Sequence, residues 1–92
     1  MIEPTVGRIV WYHPGPTGVH AAIITHVHGD DCVNLVIFDA NGVPYQRTSV
    51  TLLQGEKPEW LTENYAEWMP YQKGQAAKTE QLKAALEKKG EI

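Results

Sequence analysis

The octapeptide Thr25-His26-Val27-His28-Gly29-Asp30-Asp31-Cys32 gathers two of the four histidines, two aspartates and the single cysteine of a 92-residue chain. Imidazole, carboxylate and thiolate are all zinc donors. If residues 20–28 are a regular strand, alternate side chains share a face, with Ala22, Ile24, His26 and His28 on one side and Ile23, Thr25 and Val27 on the other. The two histidines can therefore point the same way. A zinc centre needs three or four ligands at about 2.0–2.3 Å, and the other donors are poorly placed for that. Asp30 and Asp31 fall where a hairpin must turn, and aspartates there cap backbone N–H groups. Cys32 opens the next strand, where a thiol packs as a small apolar group. Nothing in the spacing of His13 and His20 draws them to the cluster. The stretch reads as a polar hairpin turn, and no metal ligand or cofactor is assigned.

Catalytic patterns are absent from the sequence: there is no G-x-S-x-G, no glycine-rich phosphate loop and no H-E-x-x-H. Asp30 and Asp31 are adjacent, so extended backbone would aim them apart and not as an acid–base pair. No catalytic residue is assigned. The aromatics carry more information. Trp11, Tyr12, Tyr45, Trp60, Tyr65, Trp68 and Tyr71 stand beside one phenylalanine, Phe38. Rings with a polar tip suit half-buried positions and contact surfaces. Phe38 and a few of these rings are expected to close a small core. The remainder point to a shallow pocket beside Arg47, the cation nearest the middle of the chain. An arginine flanked by Tyr45 and by the hydroxyls of Thr48 and Ser49 can hold an anion or stack on a planar group. Tyr45, Arg47, Thr48, Trp11 and Trp68 are therefore the expected binding residues.

Those residues need a scaffold, and the punctuation of the chain supplies one. Val6–Tyr12, His20–His28 and Cys32–Asp39 are rich in β-branched and aromatic residues and read as strands. The loop at 13–19 contains two prolines and two glycines. Gly29-Asp30-Asp31 and Asp39-Ala40-Asn41-Gly42 are tight turns. Val43–Arg47 and Thr48–Leu53 read as two further strands. Pro44, which cannot donate to a ladder, suggests an edge position. Residues 54–64 are connective, and Tyr65–Tyr71 is a last short strand. From Gln75 the period changes: Ala77, Leu82, Ala85 and Leu86 form a narrow helical stripe between Gly74 and Gly90. A stripe on an isolated helix of about 15 residues is marginal alone, so it is expected to pack on the barrel or on another copy. The fold class is mainly β: a small, strongly bent SH3-like or Tudor-like antiparallel barrel of five or six strands over residues 1–71, followed by a helical tail over 72–92.

Charge narrows the partners. Three basic residues against eight acidic ones give residues 1–71 a sum of −5, whereas five lysines against three glutamates give residues 72–92 a sum of +2. A phosphate backbone is gripped by a basic face, so nucleic acid is disfavoured. No run approaches the roughly 18 apolar residues of a membrane span. The segment MIEPTVGR lacks the basic and apolar pattern of a secretion signal, and a lone cysteine fits a reducing compartment. The expected location is the cytoplasm.

The stretches V-G-R-I-V, A-A-I-I-T-H-V-H, V-N-L-V-I-F-D-A-N-G-V-P-Y and E-W-M-P-Y-Q-K-G-Q-A-A-K together resemble small accessory proteins encoded by tailed bacteriophages and prophages. The resemblance spans most of the chain, describes a fold more than an activity, and carries over no site residue. It implies an intracellular product of an infected or lysogenic bacterium. Proteins of that kind often act by binding, so the expectation is a non-enzymatic, homo-oligomeric module that captures a host protein or a small anionic, nucleotide-like defence signal. The alternative is a virion or assembly component making protein–protein contacts only.

Overall fold

The computed structural model describes residues 1–75 and Lys78. Five strands, β1 (Ile9–His13), β2 (His20–Gly29), β3 (Cys32–Phe38), β4 (Pro44–Leu53) and β5 (Tyr65–Glu67), close into one barrel in sequence order. Neighbouring strands are antiparallel except β4 and β5, which run parallel, and β5 closes the ring against β1. The expected mainly β barrel with a C-terminal helix is what the chain forms. Residues 70–75 and Lys78 are helical; the apolar stripe at Ala77, Leu82, Ala85 and Leu86, and Gly90, lie outside the described residues.

The core is the inward row of each strand. Val10, Tyr12, Ala22, Ile24, Val33, Leu35, Ile37, Val50, Leu52 and Ala66 interlock with Trp68, the largest fully enclosed side chain. A barrel abolishes sheet edges, so Pro44 is not on an edge strand as its chemistry suggested. It is the first residue of β4, where a missing N–H is also tolerated.

Bulges explain two further departures. Leu35 pairs with Arg47 and Val33 with Val50, which leaves Asn34 facing both Thr48 and Ser49. Ser49 takes up the extra residue with φ of 51°, and Asn34 Oδ1 accepts its N–H at 2.8 Å. What reads as two strands on either side of Arg47 is therefore one strand with a kink. In β2 the register shifts between Ile24 and His26. Ile24 stays inside at 0% exposed while His26 faces solvent, so the regular alternation that put them on one face fails at Thr25.

The chain ends depart in similar ways. Val6 and Gly7 form a turn, with Gly7 at φ of 93°, and the Gly7 N–H already reaches the Ile24 carbonyl at 2.8 Å. The helix begins at Pro70, ahead of the expected Gln75, and takes Pro70 and Tyr71 from the expected last strand. Proline suits the first helical position because its missing N–H would have had no partner there. Gln72, three residues after Met69, turns its Oε1 back to accept the Met69 N–H at 2.8 Å, half of a capping box. Its Nε2 donates to the Ile9 carbonyl at 2.8 Å, fixing the start of the helix to β1.

Gln54 joins three distant segments. Its Oε1 accepts from the Ile2 N–H at 3.3 Å and from Trp68 Nε1 at 3.2 Å. Its Nε2 donates to the carbonyls of Ile2 at 2.8 Å and Asp30 at 2.6 Å. Leucine at this position keeps the bulk but leaves the Trp68 indole N–H buried without an acceptor. We expect Gln54→Leu to lower stability by about 1–3 kcal/mol, read as a shifted urea midpoint with an unchanged slope.

Candidate ligand site at the barrel mouth

The C-terminal ends of β1 and β3 and the N-terminal ends of β2, β4 and β5 meet at one end of the barrel. This mouth is ringed by the loops at 14–19, 39–43 and 54–64. Tyr45, near the start of β4 at this end, is half-buried and packed against the core. The rings of Tyr12 and His20 both stand nearly perpendicular to it, with centroids 6.3 Å and 6.1 Å away. The His20 Nδ1 and Tyr45 hydroxyl are 3.0 Å apart and share one proton between them. The Arg47 guanidinium carbon lies 4.9 Å from the Tyr45 ring centroid.

Local sequence explains each placement. Tyr45 and Arg47 are two apart in β4, so both project to the same side, ahead of the bulge at Ser49. Tyr12 pairs with His20 across the β1–β2 ladder. The Tyr12 hydroxyl donates to Asn64 Oδ1 at 2.6 Å. Asn64 has a φ of 52°, a left-handed conformation that asparagine tolerates better than most residues. On the opposite wall Asp39 Oδ1 accepts the N–H groups of Asn41 and Val43, both at 2.9 Å, and holds the 39–43 turn closed with Gly42 at φ of 80°.

The electrostatics follow. Burial pushes the Tyr45 phenol above its ordinary value near 10; Tyr12 and Asp39 push the same way, while the Arg47 cation opposes them. The hydroxyl is therefore neutral at physiological pH, a donor or acceptor according to the tautomer of His20. Arg47 is exposed and uses one N–H on the Gln46 carbonyl at 2.8 Å. It makes no ion pair among the described residues. The mouth thus offers a cation with free N–H donors, the ring it lies over, and a hydrogen-bonding phenol–imidazole pair. Those are the groups that take up a planar, anionic molecule.

Of the five expected binding residues, the structure brings together Tyr45 and Arg47. Thr48 alternates to the other face of β4, at the bulge. Trp11 alternates away from Tyr12 onto the outside of β1, opposite Ala21 and Glu67. Trp68 is 1% exposed inside the core and spends its N–H on Gln54, so its ring serves packing. Sequence reasoning missed His20, Tyr12 and Asn64 as members of the site. The usable signal was the 13–19 loop, whose two ends bring Tyr12 and His20 side by side.

The two histidines of the opening octapeptide do share a face, with ring centroids 4.7 Å apart. His28 Nε2 lies 2.9 Å from Asn34 Oδ1, and Asp30 and Asp31 form the turn. Among the described residues no three His, Cys, Asp or Glu side chains converge to hold a metal ion. His13 stacks on Tyr65 with centroids 4.5 Å apart. Its enclosed Nε2 is 3.2 Å from Glu67 Oε2, but no directed hydrogen bond joins them. The contact is electrostatic and has strength only when His13 is protonated.

Burial, with Glu67 second, also raises the Tyr65 phenol above its ordinary value. For both tyrosines the folded state holds its proton to higher pH than the unfolded chain. Their contribution to stability is complete below pH 10 and is lost as pH rises through the folded values. Urea denaturation at steps between pH 8 and 11 should show stability falling above pH 10, with a shallower fall in Tyr45→Phe.

No helix among the described residues is long and apolar enough to cross a membrane. No family model, no curated protein and no solved structure matches the chain.

Proposed function

We propose that the protein is a non-enzymatic binding module that captures a small, planar, anionic ligand of nucleotide type at the barrel mouth. The observation that carries this reading is the Arg47 guanidinium, exposed and without an ion pair among the described residues, lying over the ring of Tyr45. Tyr45 holds the base or sugar edge through its hydroxyl and His20, and Arg47 meets the phosphate. The surrounding acidic surface makes such a site selective: a polyanion is repelled by residues that sum to −5, whereas a ligand with one or two phosphates needs only one local cation. The resemblance to phage accessory proteins gives the capture a setting, the cytoplasm of an infected bacterium, where a host signal of this chemistry would be withdrawn from use.

The test is titration calorimetry with adenosine monophosphate, adenosine diphosphate and inorganic phosphate. The reading expects the nucleotides to bind more tightly than phosphate, with affinity falling as salt rises. Equal, negligible heats for all three would remove it.

A further inference from the structure

Two imidazoles meet on the outside of β2, at the end of the strand away from the mouth. His26 and His28 are both exposed. Residues two apart in a regular strand are separated by about 6.6 Å along it, yet these ring centroids are only 4.7 Å apart, so the side chains lean together. Asn34, opposite His26 on β3, organises the pair. At the β4 bulge the Ser49 N–H donates to Asn34 Oδ1 at 2.8 Å, which identifies that atom as the amide oxygen. An amide oxygen cannot donate, so the hydrogen in its 2.9 Å contact with His28 Nε2 belongs to the imidazole. A neutral His28 therefore carries its hydrogen on Nε2 and keeps a lone pair on Nδ1. Metal-binding imidazoles are held in this way, with the far N–H bonded to a carbonyl or carboxylate oxygen. His26 makes no hydrogen bond among the described residues, so its ring can turn about χ2 to present a second lone pair.

We propose that His26 and His28 together bind one divalent transition-metal ion, Cu²⁺ most tightly and Ni²⁺ and Zn²⁺ less so. Imidazole nitrogens sit about 2.0–2.1 Å from zinc, hence at most about 4.2 Å from each other, and rings this close can meet that limit. Imidazole suits copper, nickel and zinc, and the order of affinity is the general one for divalent ions of this row. No third His, Cys, Asp or Glu side chain joins the pair among the described residues. The ion is therefore held at the surface by two protein ligands, with water in its other positions. Mg²⁺ and Ca²⁺ prefer carboxylate and carbonyl oxygens and gain little from two imidazoles. The site does not depend on the nucleotide reading: His20 is at the mouth, and His26 and His28 are six and eight residues further along β2.

Titration calorimetry of the full chain with Ni²⁺, Zn²⁺ and Mg²⁺ tests it, with Cu²⁺ titrated into Cys32→Ser, whose missing thiol it cannot oxidise. One ion of each transition metal should bind per chain, and Mg²⁺ should be silent. Losing the outer partner of a metal-bound histidine typically costs 10- to 100-fold in affinity, so His26→Ala and His28→Ala should each weaken Ni²⁺ and Zn²⁺ by at least about tenfold. Both positions are exposed, and the circular dichroism spectra should not change. Asn34→Leu should weaken the same ions by about 10- to 100-fold, whereas Asn34→Asp keeps an acceptor for His28 and should bind at least as tightly as wild type. Should Asn34→Leu fail to fold, the two histidine variants decide the matter. The absence of Ni²⁺, Zn²⁺ and Cu²⁺ heats at about 1 mM metal overturns the proposal. Binding that survives His26→Ala or His28→Ala, or that Mg²⁺ reproduces, overturns it equally.

Discussion

Trp68→Ala is expected to lower the stability of the barrel by about 3–5 kcal/mol, the range for removing a fully enclosed large aromatic ring. Trp68 is 1% exposed and its neighbours are strand residues locked in the barrel ladder, so the walls cannot collapse into the space left behind. The substitution also removes the donor that Gln54 Oε1 accepts, loosening the residue that ties the N-terminal segment to the 30–31 turn. Folded domains hold about 5–15 kcal/mol in total, and small ones lie toward the low end. The variant should therefore be substantially unfolded at 37 °C, or melt at least about 12 °C below the parent. Trp68→Phe separates the two effects: it keeps a six-membered ring in the core and loses the N–H with part of the indole, so its cost should be nearer 1 kcal/mol for the hydrogen bond plus a modest packing loss. Thermal melts of both variants, followed by circular dichroism, check the prediction. A Trp68→Ala protein that melts within a few degrees of wild type would mean the ring is not enclosed as described.

Arg47→Ala should weaken nucleotide binding by roughly 10- to 150-fold, the loss expected when one charge-assisted contact worth about 1.5–3 kcal/mol is removed. The fold should be indifferent to the change, because Arg47 is exposed and its internal contacts are a cation–ring contact and a bond to the adjacent Gln46 carbonyl. Arg47→Lys keeps the charge but loses the planar fork that matches phosphate in two places, so its affinity should fall between the two. Salt gives a further check. Raising salt from 50 to 300 mM should weaken binding by the wild type clearly and by Arg47→Ala little. Tyr45→Leu should weaken binding while preserving that salt dependence, because it removes the hydroxyl that holds the base or sugar edge and leaves the cation.

These two experiments fall on different sides of what the sequence made legible. The barrel could be read from turn chemistry: Asp39-Ala40-Asn41-Gly42 and Gly29-Asp30-Asp31 fall at hairpin turns, and the runs between them are strands. The pairing of Tyr45 with Arg47 could also be read, because i and i+2 in a strand share a face. Local irregularities were not legible. A bulge at Ser49 turned two expected strands into one, and the shift at Thr25 separated His26 from Ile24, because strand alternation says nothing about where an extra residue is inserted. Trp11, Thr48 and Trp68 were expected together on the basis of residue type. Their separation depends on which face each strand turns to the core, and that is fixed only when the barrel closes. Asn64 joined the mouth through a contact 52 residues apart in sequence, a relation no local pattern encodes. Gln54, in a segment that reads as polar linker, bonds to Ile2, Asp30 and Trp68 for the same reason.

Native mass spectrometry of the protein purified gently from bacterial lysate tests the capture reading most directly, since it weighs the folded chain together with whatever it retains. A discrete added mass of nucleotide size is expected on the wild-type protein, absent from Arg47→Ala and restored to the wild type when adenosine monophosphate is added after stripping. A wild-type species that emerges bare, and stays bare in millimolar adenosine monophosphate, would contradict it.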